Sequence, residues 1–147
     1  MLKNILAVVL GLATSFAIIL VFEIVQHIIY PPPANLDMND MEAVKAFSST
    51  APPVIFTLVI IAYALGSLLG GLVAAARAAN NRMTKSIMVG GILMGFGAYN
   101  RFMMPHPVWT ILISLFLFIP CSYLGGYIGI RMSAKKRRAK ETGNETV

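Results

Sequence analysis

The sequence predicts an all-α membrane protein, a four-helix transmembrane bundle, and three observations lead to this prediction. Hydrophobic residues make up 57% of the 147 residues and charged residues 12%, whereas about 25% of the residues in a soluble domain are charged. Charged residues are missing from long apolar stretches, and basic residues gather at the ends of those stretches. The net charge of +6 therefore follows the membrane topology and does not indicate a nucleic-acid-binding face.

Four stretches are long enough to cross a bilayer, which takes about 20 apolar residues in a helix. We predict helices at about residues 5–30, 54–79, 85–104 and 107–132, so that residues 1–132 form one transmembrane domain. The first stretch is longer than the apolar core of a signal peptide, about 7–15 residues, and is predicted to be a retained span. The third is the weakest, since only residues 86–100 are free of charge. Residues 133–147 are polar and predicted to be a basic, disordered cytoplasmic tail.

Proline residues set the predicted helix boundaries, because proline lacks a backbone N–H and disfavours a helical residue before it. Three prolines at positions 31–33 end the first span, and Pro52 and Pro53 open the second, where the missing N–H costs nothing. Two asparagines, Asn80 and Asn81, form the turn after the second span. Pro120 falls inside the fourth helix, where we expect a kink.

The distribution of Lys and Arg predicts the orientation in the membrane. Two of the basic residues, Lys45 and Arg101, fall on one side of the predicted spans and the other ten on the opposite side. The positive-inside rule then places both termini in the cytoplasm of a multi-pass cell-membrane protein. The ten residues are Lys3, Arg77, Arg82, Lys85, Arg131, Lys135, Lys136, Arg137, Arg138 and Lys140.

Four consecutive basic residues follow the fourth span: Lys135, Lys136, Arg137 and Arg138. They are predicted either to anchor the topology or to bind anionic lipid on the cytoplasmic surface.

The loop between the first two spans is predicted to lie outside the cell and to contain a short helix. Asp37 is a suitable N-cap, and Met38, Met41, Val44 and Phe47 repeat at helical spacing. We expect this helix to lie on the outer membrane surface or, as the alternative, to form a lid over the mouth of the bundle.

Pairs of small residues four apart occur on three predicted spans, a spacing that lets helices approach closely inside a membrane. Such pairs are typical either of seams within one chain or of a homodimer face, and the sequence leaves both open. The pairs are Gly66 and Gly70, Gly91 and Gly95, and Gly125 and Gly129. A Leu-Gly-Gly segment followed by Arg occurs at 69–77 and again at 124–131, and this similarity predicts two repeated helical hairpins.

A polar cluster is predicted near the outer leaflet, where charged residues inside a span need a partner or a function. Glu23 and His27 lie one turn apart on one face of the first helix, with Gln26 beside them. The predicted topology brings Asn100, Arg101 and His106 to the same end, so these residues form our candidate ligand site.

Three hypotheses account for this cluster. Glu23 and Arg101 could form an ion pair that fixes the packing of the helices. The cluster could instead bind a lipid headgroup, a small ion or a proton, and a proton or cation at Glu23 would suit a small transporter or permeation subunit. Thirdly, Glu23, His27 and His106 could hold a metal ion for hydrolysis, although a single Glu-x-x-x-His spacing is a weak signal.

No nucleophile elbow, phosphate-binding glycine loop or cysteine pair is present in the sequence. Ser67, Ser114 and Ser122 have no base nearby in sequence and are interpreted as packing residues. We therefore expect no catalytic residues, no metal and no cofactor, and a non-enzymatic accessory or ligand-binding role with a membrane protein, a second copy or lipid as partner.

The pattern Glu-x-x-x-His-x-x-x-Pro-Pro-Pro from Glu23, then Ala-Leu-Gly with Gly70 and Gly71, then Pro-His-Pro-x-Trp ending at Trp109, resembles a group of small bacterial four-helix membrane proteins. The resemblance covers most of the chain to about Arg131. It implies a bacterial cytoplasmic membrane protein and carries no assigned activity.

Overall fold

The structure, a computed structural model, describes residues 2–37, 39–103 and 108–144, without the side chains at positions 41, 100–103, 108–111, 137 and 140–144. All regular structure in these ranges is helical, which confirms the predicted all-α class. The elements are α1 (Leu2–Ile29), α2 (Met41–Ser49), α3 (Pro53–Arg77), α4 (Arg82–Met103) and α5 (Val108–Asn144).

Three helical segments are long and apolar enough to cross a membrane: Leu2–Ile29, Pro53–Arg77 and Leu112–Lys136. Helix α4 does not reach the same measure over its described residues. Its sequence explains the difference, since Arg82 and Lys85 occupy its first turn and Arg101 lies near its end, which leaves a shorter apolar stretch than in the other three.

Helix α3 lies at the centre of the packing and contacts α1, α4 and α5. Helix α4 also contacts α5 and α1, whereas no Cα atoms of α1 and α5 approach within 8 Å over the described residues. A two-fold relation between the hairpins α1–α3 and α4–α5 would pair the α3–α4 contact with an α1–α5 contact. The packing of the two halves is therefore not symmetric, whatever their similarity in sequence.

Glycines permit the closest helix crossings. A Cβ atom on Gly70 would lie 2.7 Å from the Gly11 carbonyl oxygen on α1, and one on Gly125 would overlap the Leu68 carbonyl on α3. Gly66 and Gly129 occupy the same two interfaces, against α1 and α3 respectively. Backbone atoms that approach this closely leave no room for a side chain.

Buried serines join the same helices by hydrogen bonds to backbone carbonyls. Ser15 Oγ on α1 donates to the Gly66 carbonyl at 2.9 Å, and Ser67 Oγ on α3 donates to the Phe118 carbonyl at 2.5 Å. Ser86 on α4 and Ser122 on α5 each donate to the other's carbonyl. The predicted packing role of Ser67 and Ser122 agrees with these contacts, which satisfy hydroxyl groups that no water reaches.

The short helix in the first loop begins later than predicted. Asp40, not Asp37, is the N-cap, and its carboxylate accepts from the backbone N–H groups of Glu42 and Ala43. The prediction was wrong because the Asp37 carboxylate accepts from both the backbone and the side-chain nitrogen of Asn39. This local turn competes with capping, as Asp side chains often do.

Helix α5 continues to Asn144 and so includes residues 133–144 of the segment 133–147, for which the sequence predicted disorder. Ser133 Oγ donates to the Ala76 carbonyl at 3.2 Å and so attaches the start of this extension to α3. The segment has no proline and is rich in Ala, Lys and Arg, which are strong helix formers. A helix already formed in the span therefore propagates into it. Pro120 lies inside this same helix.

Candidate functional site

Helix α1 presents a polar stripe toward its C-terminal end. Gln26 and His27 lie three and four residues after Glu23, and Tyr30, directly after the helix, lies three and four residues after His27 and Gln26, so the four share one face. The stripe begins at Glu23, six residues before the last residue of α1, Ile29. Its polar atoms therefore extend about 9 Å along the helix from that end.

A cavity of about 280 Å³ lies beside this stripe, and we call it the α1–α3 cavity. Its polar side chains are Glu23, Gln26, His27, Tyr30, Ser48 and Tyr63, and its α3 wall is otherwise apolar, formed by Ile55, Phe56, Val59 and Ala62. Its aromatic rings belong to Tyr30, Phe47, Phe56 and Tyr63. The cavity is thus polar mainly along α1 and apolar mainly along α3, which suits a molecule with one polar and one apolar part.

Helix α2 lies over this cavity, with Val44, Phe47 and Ser48 in its lining. Val44 is only 7% exposed. The Tyr30 and Phe47 rings stack with centroids 4.8 Å apart, and the Tyr30 and Thr50 hydroxyl groups hydrogen-bond at 2.9 Å. The lid alternative for this helix therefore has a cavity beneath it. Met38 of the predicted apolar stripe and the side chain of Met41 lie outside the described residues.

A second cavity, of about 420 Å³, adjoins the first and is lined by residues of α1, α3, α4 and α5; we call it the α1–α4 cavity. Five aromatic residues line it from α1, α3, α4 and α5: Phe16, Tyr63, Phe96, Tyr99 and Phe118. The rings of Phe16 and Phe96 meet edge to face with centroids 5.4 Å apart. Both cavities are close to or within the range of about 300–1,000 Å³ that is usual for small-molecule sites.

Three residues line both cavities: Ile19, Glu23 and Tyr63. Glu23 is the acidic residue among them, and it is exposed. A carboxylate in this position can meet a ligand in either cavity.

The predicted polar cluster is described in part. Glu23 and His27 come together at the α1–α3 cavity, whereas the side chains of Asn100 and Arg101, and all of His106, lie outside the described residues. No three His, Cys, Asp or Glu side chains in the described part of the chain are grouped to hold a metal ion.

Sequence reasoning missed the aromatic lining of both cavities. Phe56, Val59 and Tyr63 repeat at three and four residues on α3, a spacing that could have identified this face. In an apolar span the same spacing is equally typical of packing, which is why the sequence alone did not distinguish it.

The remaining predicted residues lie away from the cavities. Gly91 and Gly95 on α4 face open space, since a Cβ atom at either position would meet no neighbouring group within 4 Å. These two glycines therefore take no part in the helix crossings described above. Lys135, Lys136 and Arg138 are exposed on the extension of α5, and the Arg137 side chain is outside the described residues.

Comparisons with protein-family models, with curated proteins and with solved structures found no match to this chain.

Proposed function

We propose that this chain is a non-enzymatic protein of the cell membrane that binds a small amphiphilic molecule, lipid-like in having one polar and one apolar part. The observation that carries the proposal is the α1–α3 cavity, because most of its polar side chains belong to α1 and the residue after it, whereas its α3 wall is mainly apolar. Glu23, Gln26 and His27 would meet the polar part of the ligand, and the apolar wall along α3 would hold the rest.

In this proposal four helices, α1, α3, α4 and α5, cross the membrane as a bundle with both termini in the cytoplasm. Helix α2 then lies at the outer interface and covers the binding cavity. The amphipathic character of α2 supports this position, since Val44 is buried while Glu42 and Lys45 are exposed. The exposed basic residues Lys135, Lys136 and Arg138 would contact anionic lipid at the cytoplasmic surface.

Substitution of two neighbouring serines on α2 tests the binding role. Ser48 lines the cavity, whereas Ser49 is exposed and does not. We expect Ser48→Trp to fill the cavity and Ser49→Trp to leave it open. Native mass spectrometry of protein extracted gently from its own membrane should then show a bound small molecule on the wild type and on Ser49→Trp, and none on Ser48→Trp.

Thermal unfolding in detergent supplies the control, since both variants must retain the melting temperature of the wild type for the comparison to count. If none of the three proteins carries a bound molecule, or if Ser48→Trp keeps the same adduct, the cavity is not the binding site.

A transport role is the second candidate, because Glu23 lines both cavities. It differs in requiring that Glu23→Gln abolish a flux across proteoliposomes while the fold is retained.

A further inference from the structure

Glu23 lines both cavities, and the charged groups described around it are acidic and not basic. Among the described residues that line either cavity, no Lys or Arg is present and Glu23 is the one carboxylate. The other polar groups are the Gln26 amide, the His27 imidazole and the hydroxyl groups of Ser48 and three tyrosines. The described lining therefore favours a positive ligand over a negative one.

The aromatic content of the lining points the same way. Eight aromatic side chains line the two cavities, out of fourteen in the chain, which has one Trp, five Tyr and eight Phe. Aromatic rings attract organic cations through the negative face of the ring, most strongly where water is excluded. A carboxylate in a lining rich in aromatic rings is a typical site for a substituted ammonium group.

We propose that the ligand of these cavities is a hydrophobic organic cation, an ammonium group that carries an apolar substituent. This inference rests on the proposed binding function and names the charge class of its ligand. The ammonium group lies against the Glu23 carboxylate and the Tyr63 ring, which both cavities share. The apolar substituent extends along Val59 and Ile55 in the α1–α3 cavity or toward Phe96 in the α1–α4 cavity.

The ion pair between Glu23 and Arg101 that the sequence predicts is compatible with this inference. A bound ammonium group would replace the guanidinium group as counter-ion of the same carboxylate. Binding then exchanges one positive partner of Glu23 for another, and the carboxylate keeps a counter-ion in both states.

Three probes of the same shape and different charge test the inference on the full-length chain in a nonionic detergent. They are benzyltrimethylammonium, its uncharged carbon analogue neopentylbenzene, and the anion phenylmethanesulfonate. Equilibrium dialysis gives the Kd of each. We expect benzyltrimethylammonium to bind about tenfold or more tightly than neopentylbenzene, and the anion to bind most weakly.

Glu23→Gln should weaken binding of the ammonium probe about tenfold and leave the Kd of neopentylbenzene unchanged. Glu42→Gln is the matched control, since Glu42 is exposed on α2 and lines neither cavity. Unchanged binding of the neutral probe also reports that the Glu23 variant is folded. If that variant does not fold, the comparison of the three probes on the wild type still decides the question.

Equal affinity of the wild type for the ammonium and neutral probes overturns the cationic class and leaves the proposed amphiphile binding in place. Tighter binding of the anion than of the ammonium probe likewise overturns the cationic class and leaves the proposed amphiphile binding in place. If the wild type binds none of the three probes, both the inference and the proposed function fail.

Discussion

At the scale of single residues, Glu23 determines how the candidate site is interpreted. The sequence identified it because a charge inside an apolar span needs an explanation. The structure adds that its side chain lines two cavities at once, which periodicity along one helix could not reveal. The position of the Glu23 carboxylate depends on how α1 packs against both α3 and α4. The sequence pattern of one helix does not predict this packing.

The predicted ion pair of Glu23 with Arg101 is testable by a double-mutant cycle. We expect Glu23→Gln and Arg101→Gln each to lower the stability of the ligand-free protein in detergent. The double mutant should lose less than the sum of the two, with a coupling of about 0.5–3 kcal/mol. Thermal or denaturant unfolding of the four proteins measures it. Strictly additive losses would show that the two side chains do not interact.

At the scale of the helices, glycines that look alike in sequence have different environments. A Cβ on Gly125 would collide with the backbone of α3, whereas Gly91 faces open space. We expect Gly125→Ala to destabilise the protein by about 1–3 kcal/mol, because the helices must separate. Gly91→Ala should be neutral, or stabilising by up to about 1 kcal/mol, through better helix propensity.

The free energy of unfolding of the two variants and the wild type, measured in the same detergent, tests this prediction. The two substitutions are chemically identical and both lie within long helices, so propensity alone predicts equal effects. Loss of stability with Gly91→Ala as large as with Gly125→Ala would mean that the Gly91 face is packed against something, such as a second copy.

The helices themselves were largely predictable from the sequence, and the reasons are local. Prolines at 31–33 and at Pro52 separate α1, α2 and α3, and Asn81 adopts the left-handed conformation of the turn before α4, with φ 48°. The start of α2 was not predictable, because Asp37 and Asp40 are equivalent candidates for the cap until the turn at Asn39 is known. The same holds for the α5 extension, whose beginning is fixed by a contact with α3 far away in sequence.

At the scale of the whole molecule, the packing of the helices places several basic residues at the same end of the fold. Asn4 Oδ1 accepts from the backbone N–H groups of Ala79 and Asn80, so the start of α1 lies beside the turn between α3 and α4. Ser133 contacts Ala76 at the same end. Lys3, Arg77 and Arg131 therefore share this end of the fold, whereas Lys45 lies at the opposite end with α2. This separation of charge supports the proposed orientation, in which both termini lie in the cytoplasm.

The number of spans decides the side of the membrane on which the α5 extension emerges. This number depends on α4, which is less apolar than the other long helices. With four spans both termini share one side, whereas with three spans the extension and its basic residues would face outward. Single cysteines at Asn39, Asn80 and Ala139, in a chain whose free Cys121 is replaced by Ala, distinguish the two. We expect a membrane-impermeant maleimide to label the Asn39 position in intact cells, and the Asn80 and Ala139 positions only after permeabilisation. Labelling of the Ala139 position in intact cells, with the Asn80 position protected, would establish three spans and contradict the four-helix bundle. The cost of inserting α4 into the membrane would then exceed the cost of placing Lys135 and Lys136 outside the cell.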